Sequence, residues 1–118
     1  MKSKYSFEKK FHYLQMKISG EYDKNEFLSF PEIFLIKSKE AKMSRILVDT
    51  LDVDYNKLSI IDRFFLGEEL AEKTRGEIKI AIVVPAQYIN KFVETVAINR
   101  GANVFIVDTI KEAKEWLT

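Results

Sequence analysis

Two short runs constrain this chain more than anything else in it: KIAIVV, Lys79 to Val84, and VFIV, Val104 to Val107. Both are unbroken and rich in β-branched residues, the pattern of strands covered on both faces in a parallel sheet. Parallel neighbours cannot be joined by a tight turn, so a crossover must lie between them. The intervening AQYINKFVETVAINR supplies one: Tyr88, Phe92 and Val96, with Ile89 and Val93, share one helical face, and Pro85 separates that helix from the strand.

The same alternation extends backwards. Arg45 to Asp49, RILVD, reads as a third short strand, followed by a polar loop, TLDVDYN, and a longer helical pattern, KLSIIDRFFLGEELAEKT. Near the amino end Leu14, Met16 and Ile18 alternate with polar residues in a period of two, and Tyr5 and Phe7 offer a preceding strand to pair as a hairpin. His12 shares the parity of Leu14 and Met16, so the pattern places it on the strand. After Gly20 two helix starts are open, Asp23 with Glu26 and Ser29 with Glu32, both in capping-box spacing. Pro31 fits the first turn of the second start and would kink a helix begun at the first. The closing NRG fits a helix exit, with Gly101 in the left-handed position, Arg100 complementing the negative helix end and Asn99 helping the chain leave. IKEAKEWLT then forms a short last helix with Trp116 and Leu117 facing the core. The order β-β-α-β-α-β-α-β-α predicts an α/β fold: an open sheet, mostly parallel, with an antiparallel amino-terminal hairpin.

With 118 residues, 47% of them hydrophobic, the chain reads as one globular domain over residues 1–118 with material for a real core. Nineteen basic and eighteen acidic side chains leave a net charge of +1. No global field therefore favours nucleic acid, and no nucleic-acid partner is expected. The absence of cysteine excludes thiol catalysis, disulfides and cysteine-ligated metal. The start MKSKYSFEKKF lacks the apolar core of a secretory signal, and no apolar run approaches the roughly 18 residues that cross a bilayer. A cytoplasmic location without integral membrane association is the expectation.

Chemistry-bearing motifs are few. The four glycines are scattered, so no phosphate-cradling loop is present, and one histidine cannot build a multi-histidine metal site. No cofactor is implied. Asp49, Thr50, Asp52 and Asp54 cluster after a strand, but they lack the glycine and distal glutamate of a calcium loop, and no metal is assigned. Asp49 and Thr50 remain candidate ligand-binding residues, because open α/β sheets place ligands at the carboxyl ends of their strands. On the long helix Ile61, Phe64, Phe65 and Ala71 share an arc that also contains Glu68, whose burial would demand a partner. Leu66 and Leu70 form a second strip near Arg63. A helix apolar on so much of its circumference is deeply buried or meets another chain, so Arg63, Phe65, Leu66 and Leu70 are candidate interface residues, with a homodimer as one outcome. Arg100, at the end of its helix's apolar face, is placed to reach inward and joins Glu68 as a candidate ligand-binding residue.

Taken together, RILVD, DRFFLGEELA, KIAIVV and NRGANVFIVDTIKEAKEWL resemble the SpoIIAA-like superfamily, which includes the STAS domains. The ending is most similar to a subgroup of small single-domain bacterial proteins that close on an "eA..WL" helix after a glycine-containing turn. The resemblance implies a non-enzymatic regulatory or protein-interaction module with a protein partner. In the anti-sigma-factor-antagonist branch a partner kinase phosphorylates a serine in an Asp-Ser-Ser-Gly-like turn at the start of the helix after the third strand. The matching YNKLSI keeps Ser59, without the Asp-Ser or the glycine, which makes Ser59 the candidate phosphorylation site. Two other readings stand beside this one. The first is a small-molecule or apolar-ligand-binding domain with its pocket at the strand ends around Asp49, Thr50, Pro85 and Asp108. The second is an enzyme using Glu68 with Arg100 or Arg63 as its electrostatic partner.

Overall fold

A computed structural model describes residues 3–118. The elements run β1 (Ser3–Lys9), β2 (Leu14–Glu21), α1 (Lys24–Glu40), β3 (Arg45–Asp54), α2 (Ile60–Thr74), β4 (Lys79–Val83), a 3-10 turn (Ala86–Tyr88), α3 (Lys91–Asn99), β5 (Asn103–Val107) and α4 (Ile110–Leu117). The strands lie side by side in sequence order, β1-β2-β3-β4-β5, with β1 antiparallel to β2 and every later pair parallel.

That order decides where the helices go. Each parallel crossover is right-handed and each advances in the same direction, so α1, α2 and α3 must all land on one face. The core shows it: Phe27, Phe30 and Phe34 of α1, Leu70 and Ala71 of α2, and Val93 and Ala97 of α3 pack with Met16, Ile46, Val48 and Ile80. The short α4 covers the other face, where Ala113 and Leu117 meet Leu47, Ala81 and Val83, and Trp116 stacks on Phe105 at 5.2 Å. A sheet that never reverses direction has no switch-point crevice of the doubly wound kind.

Several local readings are corrected. Strand β3 does not end at Asp49 but runs on to Asp54, with a bulge opposite Ile18: Lys17 pairs with Asp49 and Ser19 with Asp52. The extra residue resets the parity, so that Thr50 and Val53 both turn inward and the polar Asp52 and Asp54 stay out. Of the two starts open for α1, Asp23 is the cap, accepting from the Glu26 N–H at 3.0 Å, and Pro31 lies inside the helix. Proline has no N–H to return to the Phe27 carbonyl, and its buried ring packs in the core instead. The helix read as continuous from Ala86 is broken: after the 3-10 turn the chain is extended at Ile89, and Asn90 caps α3 by accepting from the Phe92 N–H at 2.7 Å. His12 is not on a strand; it lies exposed in the β1–β2 turn against the ring of Phe11. Gly101 takes a φ of 102°, as a residue leaving a helix in the left-handed region requires. Among the described residues no helix is long and apolar enough to cross a membrane.

Candidate functional site

Between the sheet and the three helices a cavity of about 90 Å³ remains, opening towards the carboxyl ends of the strands. Its walls are apolar: Ile18, Val48 and Ile82 from the sheet, Phe30 and Phe34 from α1, Leu66 and Leu70 from α2. Polar atoms enter from Thr50, Tyr55, Arg63, Tyr88 and Asn90. The buried hydroxyls satisfy one another. Tyr55 donates to Thr50 Oγ1 at 2.7 Å, and Thr50 in turn donates to the Val83 carbonyl at 2.7 Å. Tyr88, whose ring lies 5.5 Å from that of Tyr55, donates to Asn56 Oδ1 at 2.9 Å. Arg63 differs: its Nη2 donates to the Tyr88 carbonyl at 3.3 Å. No carboxylate among the described residues stands within ion-pair distance of it.

Two tyrosines here resist ionisation. Burial pushes the Tyr55 phenol well above its ordinary range, with the Thr50 hydrogen bond and the nearby Arg63 charge opposing in part. Burial raises Tyr22 as well, reinforced by the 2.9 Å hydrogen bond it donates to Asp62 and by that residue's charge. Above about pH 10 an unfolded chain releases these phenol protons while the folded chain still holds them, so the folded state binds more protons and stability falls as pH rises. Urea midpoints measured at about pH 8 and about pH 11 should therefore fall in the wild type and fall less in Tyr22→Phe and Tyr55→Phe. An equal fall in all three would show that neither tyrosine contributes.

The amino-terminal end of α2 is a second feature. Ser59 is exposed and caps the helix, its Oγ accepting from the Asp62 N–H at 3.0 Å. Asp62 in turn accepts from Tyr22 and lies 3.9 Å from Lys24, tying α2 to the start of α1. Beside the cap Ile60 and Ile61 expose 68% and 65% of their surface, and about one turn later Phe65 is partly open beneath the Lys24 ammonium.

The residues singled out from sequence do not converge on one site. Thr50 lines the cavity, but the neighbouring Asp49 accepts from the Leu51 N–H at 3.0 Å across the β3 bulge and does not line it. Asp52 pairs with Lys17 and Asp54 accepts from the Asn56 N–H. Among the described residues no three acids or histidines gather to hold a metal ion. Glu68 and Arg100 do meet, at 3.6 Å, but on the surface, with the guanidinium also over the Phe64 ring. Arg100 thus lies along the outside of the helices rather than reaching inward, and such an exposed pair contributes little. The two strips of α2 exchange roles: Leu70 is buried and Leu66 packs against the core, so neither is free for an interface, while the arc of Ile61 and Phe65 faces out. Pro85 is half-buried and Asp108 exposed, both outside the cavity. The cavity residues the sequence did not disclose are Tyr55, Tyr88 and Asn90. Asn90 carried one usable signal, an N-cap residue type directly before an apolar helical run.

Sequential strand order, one antiparallel edge pair, three helices on one face and one on the other define the SpoIIAA-like fold. The crystal structure of an anti-sigma factor antagonist from Mycobacterium paratuberculosis shares it, with a TM-score of 0.63 over 98% of this chain and 93% of that one, at 14% sequence identity. No family model matches the chain, and no curated protein matches it.

Proposed function

We propose that this chain is a non-enzymatic regulatory module of the STAS type, which docks a protein partner on the amino-terminal end of α2. Phosphorylation of Ser59 controls the docking. The observation that carries this reading is the pairing of two isoleucines, each about two-thirds exposed, with an exposed capping serine next to them. Single apolar residues on a surface need no explanation, but a contiguous set does, and Phe65 extends this one. The fold shared with an anti-sigma factor antagonist supports the same reading.

The helix start also suits the chemistry. A phosphate on Ser59 Oγ would sit at the positive end of α2, beside the first-turn N–H groups that the hydroxyl already caps, which favours an anion there. About 1.5 to 2 negative charges on the rim of an apolar patch change what the patch can bury, which is how a modification at this position would switch a partner.

A photo-crosslinking residue placed at Ile61, and as a control at the exposed Lys4 on β1, tests the surface in cells. A discrete adduct from position 61, absent from position 4 and lost in Ser59→Glu, is the expected result. An adduct of twice the chain's mass makes the partner a second copy. No adduct at 61, or the same adducts from both positions, removes the proposal.

A further inference from the structure

The cavity under the three helices has no part in that docking surface, and two features set it apart from a packing defect. The first is Ile82. It lies on the inner strand β4, between Val48 of β3 and Ile106 of β5, where its strand neighbours Ile80 and Ala81 are fully buried. Ile82 is only half-buried, because the space above it is unfilled. Protein interiors are packed to crystal density, so a central strand position left open is exceptional.

The second is Arg63. A half-buried guanidinium offers five donors, and this one uses a single bond of 3.3 Å to the Tyr88 carbonyl. Partial desolvation without a counter-charge is costly, and no carboxylate among the described residues supplies one. Water is not called for deeper in, where Tyr55 and Thr50 have already used their hydroxyls on each other and on Val83.

We infer that the cavity binds a small hydrocarbon-tailed carboxylate, its tail against Ile82 and its anionic head on Arg63. The size of the tail follows from the volume. An apolar cavity of about 150 Å³ in another protein accepts benzene, so about 90 Å³ takes a chain of about four carbons before the remainder must extend into the open mouth. The planar fork of arginine fits a carboxylate in two-point contact, and rotation of the side chain off the Tyr88 carbonyl costs one long bond.

Titration calorimetry with butanoate, hexanoate and octanoate, each against the alcohol of the same length, tests this directly, with amide chemical shifts to place the ligand. The expected result is saturable binding of a carboxylate at least tenfold tighter than its alcohol, with shifts at Thr50, Ile82 and Arg63. Arg63→Gln should bring the acid down to the affinity of the alcohol, and Ile82→Phe should abolish both. The acid-to-alcohol ratio is read on the wild type, so it stands even if a variant fails to fold. Absence of saturable binding, equal affinity of acid and alcohol, shifts confined to the β1–β2 hairpin, or binding to phosphatidylglycerol vesicles without binding of the free acids would each overturn the inference.

Discussion

Replacing Phe30 with alanine should cost about 3–5 kcal/mol, the largest loss expected from any single truncation considered in this chain. Phe30 is 2% exposed and stands at the centre of an aromatic chain. Its ring lies 5.5 Å from Tyr5 and 4.9 Å from Phe27 in edge-to-face contact, and 6.4 Å from Phe34 in a stacked one. Through it α1 holds both the edge strand β1 and the cavity wall. Truncation forfeits the transfer of a whole aromatic side chain and leaves a hole that joins the space already above the sheet, so little relaxation can refill it. Against a total stability of about 5–15 kcal/mol, such a loss is about a fifth of the whole or more. Phe11→Ala is the matched control: a ring 90% exposed at the hairpin turn should change stability by no more than about 0.5 kcal/mol. Urea midpoints at constant slope decide it. A cost below about 1 kcal/mol for Phe30 would mean that α1 is not anchored through this ring.

Which of these facts the amino-acid sequence carries depends on how local their cause is. The β4 and β5 runs and the glycine after α3 are written in consecutive residues, and the element order follows from them; the spacing leaves Asp23 and Ser29 both open as starts of α1, and only the fold selects Asp23. The length of β3 is not, because the bulge that lets Thr50 and Val53 face the same way exists only against β2. The orientation of α2 is the instructive failure. The arc read from sequence runs through Ile61, Phe64, Phe65 and Ala71, yet of these only Ala71 is buried, and the other residues that α2 buries are Gly67, Leu70 and Thr74. Close packing selects small residues where two backbones approach, while a hydrophobicity pattern counts large ones, so the outer arc was the more conspicuous. The cavity is less legible still. Thr50, Arg63 and Tyr88 come from three separate segments and meet only because the crossovers stack their elements on one face.

Gly67 supplies the second large expected effect, and there two physical terms oppose each other. In a helix interior alanine is favoured over glycine by about 0.8–1.0 kcal/mol, so propensity alone predicts that Gly67→Ala stabilises. A Cβ at this position would stand 2.9 Å from the Val93 carbonyl oxygen and 2.9 Å from both Cβ and Cγ1 of Val96. None of these is the free end of a flexible side chain. The oxygen is backbone and the Cβ is a branch point, so the clash is relieved only by moving α3 away from α2. Overpacking of that kind costs about 1–3 kcal/mol, which exceeds the propensity gain over most of its range. Gly67→Ala should therefore destabilise by about 1 kcal/mol, and Gly67→Val, with more volume and little propensity gain, by about 3 kcal/mol. Val96→Ala in the Gly67→Ala background should restore part of the loss only, since it removes Cγ1 but leaves the backbone oxygen and the Cβ in place. Stabilisation by Gly67→Ala would show that α3 yields easily. In that case the α2–α3 contact is soft, and the wall that Leu66 and Val93 give the cavity can move with it.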